Sequence, residues 1–142
     1  MDSSAVFKMY PDFKCFPIIL DAITEPEFIY QFKSLVDSKP AKQVKCIVYL
    51  WSTDKQIPRI RKGSDILYIG QTQKTFKSRH GHFAGKDTSR LNWSKYSFIR
   101  SQYGPIKMFY LHSLKSKATE CLFLERYFED HLEYPSLNRN GK

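Results

Sequence analysis

Two short β-forming segments, VKCIVYLW at residues 44–51 and ILYIG at 66–70, constrain this chain more than any other feature. Both are rich in β-branched and aromatic residues, and between them STDKQIPRIRKGSD carries the strand breakers Pro58 and Gly63. The spacing predicts a hairpin closed by a long basic loop. Gly70 ends the second segment, and Thr75 is suited to cap a helix over 75–84 that carries Arg79, His80 and His82. A tyrosine, a glycine, an arginine and two histidines therefore crowd one strand-to-helix junction. Elsewhere the periodicity predicts helices over 26–36, 92–102 and 117–132, the second stopped by Gly104 and Pro105, and a third strand over 106–112.

The length of 142 residues suits one domain with one core. No run approaches the eighteen or so apolar residues of a membrane span, and the first residues lack the layout of a secretory signal, which predicts a cytoplasmic protein with no membrane partner. Cys15, Cys46 and Cys121 are odd in number without CxxC spacing, and are expected reduced and mostly buried. The net charge of +9 is unevenly placed: residues 1–40 hold four Lys against six acids, so the rest carries +11. Lys74, Lys77, Lys86, Arg90 and Lys95 belong to this part, with Trp93, Tyr96 and Phe98 interleaved. Such a stretch suits phosphate neutralisation, although a solvated surface explains the charge equally well.

The helix over 117–132 holds an anomaly. Ala118, Cys121, Leu122, Leu124, Phe128 and Leu132 form one apolar arc at 100° per residue, and Glu125 projects from inside it. A carboxylate on a buried face needs an ion pair or a cation, and the spacing favours neither. Glu129 lies at the edge of the same arc.

The ordered set IVY at 47–49, YIG at 68–70, the helix with Arg79, ECLFLE at 120–125 and PSLN at 135–138 resembles the motifs of the GIY-YIG nuclease superfamily over residues 44–140. The resemblance implies an α+β domain, with a small three-stranded antiparallel sheet flanked by helices, over 44–142, and leaves 1–43 as an N-terminal helical extension. It implies a metal-dependent endonuclease that hydrolyses DNA phosphodiester bonds. In that reading Tyr49, assisted by Tyr68 and with a lowered phenol pKa, positions the water and accepts its proton. Arg79 holds the phosphate, Glu125 binds Mg²⁺ or Mn²⁺, and Asn138 is the C-terminal asparagine of the set. A catalytically inactive nucleic-acid-binding module on the same scaffold is the alternative.

The sequence departs from the family in three places. Ile47 stands where a glycine is usual. The interval from Tyr49 to Tyr68 is long, so the loop with Lys55, Arg59, Arg61 and Lys62 reads as an insertion facing DNA. The histidine usual four residues after the arginine is replaced by Phe83, which leaves His82 as the stand-in and His80 as a phosphate contact. A module with one active site must form a homodimer or act twice to break both strands.

Overall fold

A computed structural model describes residues 1–81 and 90–138, with the side chains of residues 90 and 91 excepted. The fold is α+β: a four-stranded antiparallel sheet in the order β1-β4-β2-β3, flanked by helices. Helix α1 is Ser3–Met9, β1 Lys14–Cys15, α2 Glu25–Val36, α3 Lys39–Gln43, β2 Lys45–Pro58 and β3 Gly63–Thr75. They are followed by α4 Phe76–His80, α5 Arg90–Tyr103, β4 Lys107–His112 and α6 Ser116–His131. No helix among the described residues is long and apolar enough to cross a membrane.

Four strands replace the three expected from sequence. The fourth, β1, comes from the N-terminal extension and pairs Lys14 with Tyr110 and Cys15 with Phe109 on β4. A two-residue strand is too short for alternation to reveal it. The hairpin also differs from expectation. Its strands run past residue 51 to a four-residue turn at 59–62, where Lys62 takes a left-handed φ of 59° and the Arg59 amide donates to the Lys62 carbonyl at 3.1 Å. Pro58 is tolerated because it sits at the last pair of the hairpin, opposite Gly63.

Alternation along β2 divides the core in two. Ile47, Tyr49 and Trp51 face one side with Phe16, Phe28, Phe32, Leu35, Tyr96 and Ile99, whereas Val48 and Leu50 face the other with Val6, Phe123, Leu124 and Tyr127. Residues 1–43 thus pack on both faces of the sheet. On β3 the pairing shifts between Ser52↔Ile66 and Trp51↔Tyr68, so that Leu67 is extra. This bulge places Leu67 and Tyr68 both on the α2 side, which brings Tyr68 to the face of Tyr49.

Local chemistry explains the helix ends. Thr24 accepts from the Glu27 amide at 3.4 Å while Glu27 Oε1 accepts from the Ile23 amide at 2.9 Å, a reciprocal cap for α2. Thr75 caps α4 by accepting from the Ser78 amide at 3.1 Å. Gly104 takes φ 89° after α5.

Two sequence expectations for α6 and the cysteines fail here. The buried stripe of α6 is Ser116, Phe123, Leu124, Tyr127 and His131, so most of the apolar arc around Glu125 faces solvent and Glu125 itself is exposed. The helix carries apolar residues on two faces, and periodicity alone chose the wrong one. All three cysteines are free, but Cys15 and Cys121 are exposed and Cys46 is half-buried.

Candidate active site

A cleft of about 590 Å³ lies beside β3 where α4 and the first turns of α6 converge; Tyr49, Tyr68, Gln71, Arg79, Lys117, Glu120 and Cys121 line it. Three of the residues anticipated from sequence, Tyr49, Tyr68 and Arg79, therefore share one site.

Tyr49 is 1% exposed, and its ring packs against those of Tyr68 (centroids 5.9 Å, 24° between planes) and Phe76 (5.3 Å, edge-on). Its cross-strand partner on β3 is Gly70. A Cβ at residue 70 would stand 2.4 Å from Tyr49 Cε2 and 2.7 Å from its hydroxyl oxygen, so glycine is required by close approach. Phe76, fully buried behind Tyr49, anchors α4, and His80 stacks on Phe76 at 4.4 Å. That seat brings His80 Nε2 within 3.1 Å of the Tyr49 hydroxyl. Arg79, on the exposed side of the same short helix, reaches the cleft.

The electrostatics reverse one expectation. Burial pushes the Tyr49 phenol well above its ordinary pKa, and Tyr68 and Glu120 push it the same way; Arg79 opposes the shift without overcoming it. Tyr49 is a neutral phenol, hydrogen-bonded to Tyr68 and His80.

On α6, Ser116 donates to Gln71 Oε1 at 2.9 Å, fixing the first turn of the helix to β3. One turn on, Glu120 continues the inner stripe into the cleft, with Lys117 and Cys121 beside it. The carboxylate on this wall is Glu120, and Glu125 is not among the lining residues. A second helical stripe, Ser116, Glu120, Phe123, Leu124, Tyr127 and His131, was the available signal in the sequence.

Asn138 lies along the free edge of β3. Its Oδ1 accepts from the Ile69 amide at 3.0 Å and its Nδ2 donates to the Ile69 carbonyl at 2.8 Å, while the Leu137 amide donates to the Leu67 carbonyl at 3.0 Å. The PSLN segment clamps the backbone between Tyr68 and Gly70. Asn138 is thus a positioning residue for both.

The basic turn is turned away from the cleft. Arg59, 11% exposed, pairs with Glu133 and donates to Ser136 Oγ at 2.8 Å and the Tyr134 carbonyl at 2.7 Å. Arg61 donates to the carbonyls of Glu129 and Asp130 at the end of α6. Arg61 caps the carboxyl end of α6 and Arg59 holds the segment that follows it, and the helix, 16 residues and so about 24 Å long, has its cleft residues near the other end. Lys62 lines a different depression with Asp130. Lys77 binds Asp37 at 2.7 Å and holds that carboxyl below its usual range. Lys74 and Lys95 are exposed on β3 and α5. His82, Lys86 and the Arg90 side chain lie outside the described residues.

Among the described residues, no three or more His, Cys, Asp and Glu gather as a metal cluster. The half-buried Glu120 carboxylate at the cleft fits Mg²⁺ or Mn²⁺ of the kind that needs one protein carboxylate and keeps several waters. No protein-family model, curated protein or solved structure matches the chain.

Proposed function

We propose that this cleft hydrolyses nucleic-acid phosphodiester bonds, and that the protein is a metal-dependent DNA endonuclease of GIY-YIG type. One observation carries the reading: two tyrosines, an arginine and a carboxylate, drawn from β2, β3, α4 and α6, line one open cleft. A binding surface needs positive charge, but it has no use for a buried phenol bonded to a histidine.

The roles follow from the contacts. Arg79 offers a planar fork of donors to the phosphoryl oxygens, and Lys117 adds a cation on the facing wall. Because Tyr49 is held neutral, it serves as a relay: its hydroxyl takes the proton of the attacking water as its own proton passes to His80 Nε2. Tyr68 orients that hydroxyl, and Asn138 fixes Tyr68 through Ile69. Glu120 would hold the divalent ion, which when bound supplies positive charge to the phosphoryl and leaving oxygens.

A nucleic-acid-binding module without cleavage is favoured by a different observation, the single carboxylate among the described residues of the cleft wall. Incubating the protein with supercoiled plasmid in Mg²⁺ or in EDTA separates the two. Nicking in Mg²⁺ alone supports the nuclease; retention of plasmid without nicking in either condition supports the module.

A further inference from the structure

The sheet brings three basic stretches of the chain to one end. Strand β2 begins at Lys45, opposite Thr75 where β3 finishes. Strand β4 finishes at His112, opposite Ile47, and the Ser113 amide then donates to the Cys46 carbonyl at 2.8 Å, which leads the chain into α6 at the same end. Residues 42–49, 71–81 and 111–119 together hold seven Lys and Arg and no Asp or Glu. Each stretch is modest alone, and only the antiparallel pairing adds their charges.

Several other cations are already engaged. Arg59 and Arg61 serve the end of α6, Lys77 pairs with Asp37, and Lys107 with Asp54. Lys45, Lys74 and Lys115 are exposed, and among the described residues none of them forms an ion pair. The acids bordering this end are Asp37, held by Lys77, Glu120 inside the cleft, and Asp12, which shares a depression with Lys14 and His112.

Uncompensated ammonium groups on an open surface suit a polyanion. The three strand ends are about 10 Å across at two strand spacings, a length of duplex axis that carries about six phosphates. The surface also runs into the cleft, because Lys117, two residues beyond Lys115, and Gln71, three residues before Lys74, line it. A membrane surface needs apolar side chains beside the charge. Among the described residues, Leu114 is the single large apolar side chain exposed on these stretches.

We propose that nucleic acid crosses this end of the sheet, with its backbone phosphates on Lys45, Lys74 and Lys115, and enters the cleft past Lys117. The partner is duplex DNA, an identification that rests on the proposed reading of the cleft; the charged surface itself does not depend on cleavage. Its lysines supply affinity without reading base sequence.

The test is fluorescence anisotropy of a labelled duplex of about 20 base pairs, titrated at several NaCl concentrations from about 50 to about 200 mM. Lys45→Gln, Lys74→Gln and Lys115→Gln combined should lower the slope of log affinity against log salt by about two to three, and raise the Kd about ten- to hundredfold at about 0.15 M salt. The same charge removed as Lys8→Gln, Lys33→Gln and Arg126→Gln, exposed on α1, α2 and the later turns of α6, should leave the slope unchanged. Melting temperatures check that both triple variants fold. An unchanged slope in the first variant, an equal fall in the second, or wild-type protein that sediments with phosphatidylserine vesicles yet has no salt-dependent affinity for the duplex would each overturn the proposal. Plasmid nicking separates this result from the proposed activity: a wild type that never nicks but shows the expected slopes loses the nuclease and keeps the surface.

Discussion

The ring of Tyr49 lies across the backbone of Gly70, so closely that even a methyl group at residue 70 would overlap it, at 2.4 Å from Cε2. Tyr49 is fully buried and wedged by Phe76 and Tyr68, so it has little room to withdraw. Gly70→Ala is therefore expected to cost about 1–3 kcal/mol of stability by overpacking. It should also displace the hydroxyl from His80. Urea denaturation measures the first effect; wild-type stability in the variant would mean the ring moves freely.

The clamp along the free edge of β3 predicts a different balance. Asn138→Ala removes two hydrogen bonds to Ile69 without entering the cleft. A loss of about 1–3 kcal/mol is expected, with the lost amide protection concentrated at Ile69 and its neighbours. Hydrogen exchange gives the site of the loss, and uniform loosening of the chain would contradict the positioning role.

The basic turn should behave as structure. Arg59→Ala strands Glu133 and leaves the Tyr134 carbonyl without its donor, for a cost of about 1–3 kcal/mol. Neutralising Arg59, Arg61 and Lys62 together should leave the salt dependence of nucleic-acid affinity unchanged. Replacing Arg79 and Lys117 instead should reduce its slope by up to about two. The opposite outcome in titrations at several salt concentrations would put the turn on the nucleic acid.

Alkaline stability tests the state of Tyr49. Its folded pKa is raised, so the folded chain keeps this proton where the unfolded chain releases it, near pH 10. The associated stability is present below about pH 10 and is lost as pH rises beyond it. Tyr49→Phe should flatten the fall of the urea midpoint between about pH 9 and about pH 11, though a residual slope remains because burial also raises the phenols of Tyr110 and Tyr127. An identical fall in both proteins would mean that Tyr49 is not held neutral.

Much of this was legible where the signal is local. The Thr75 cap, the stop at Gly104, the bounds of α2 and the two tyrosine strands depend on neighbours in sequence. The second-turn residue Glu120 was not, because α6 is apolar on two faces and only the sheet decides which is buried. The fourth strand has no pattern of its own. Arg59 and Arg61 read as free charge because their partners, Glu133 and the end of α6, lie some 70 residues away. The Tyr49 phenol was expected to be acidified by nearby cations. Burial, a tertiary property, outweighs them.

The most direct test of the central claim is cleavage of supercoiled plasmid in Mg²⁺ by wild type, Glu120→Gln and Glu125→Gln, with melting temperatures measured alongside. Glutamine keeps the shape of either side chain and removes its charge. Glu120→Gln should abolish nicking while the protein remains folded, and Glu125→Gln, altered on the solvent-facing side of α6, should nick at close to the wild-type rate. Full activity in Glu120→Gln, or loss of activity in folded Glu125→Gln alone, would contradict the assignment of the metal-binding wall.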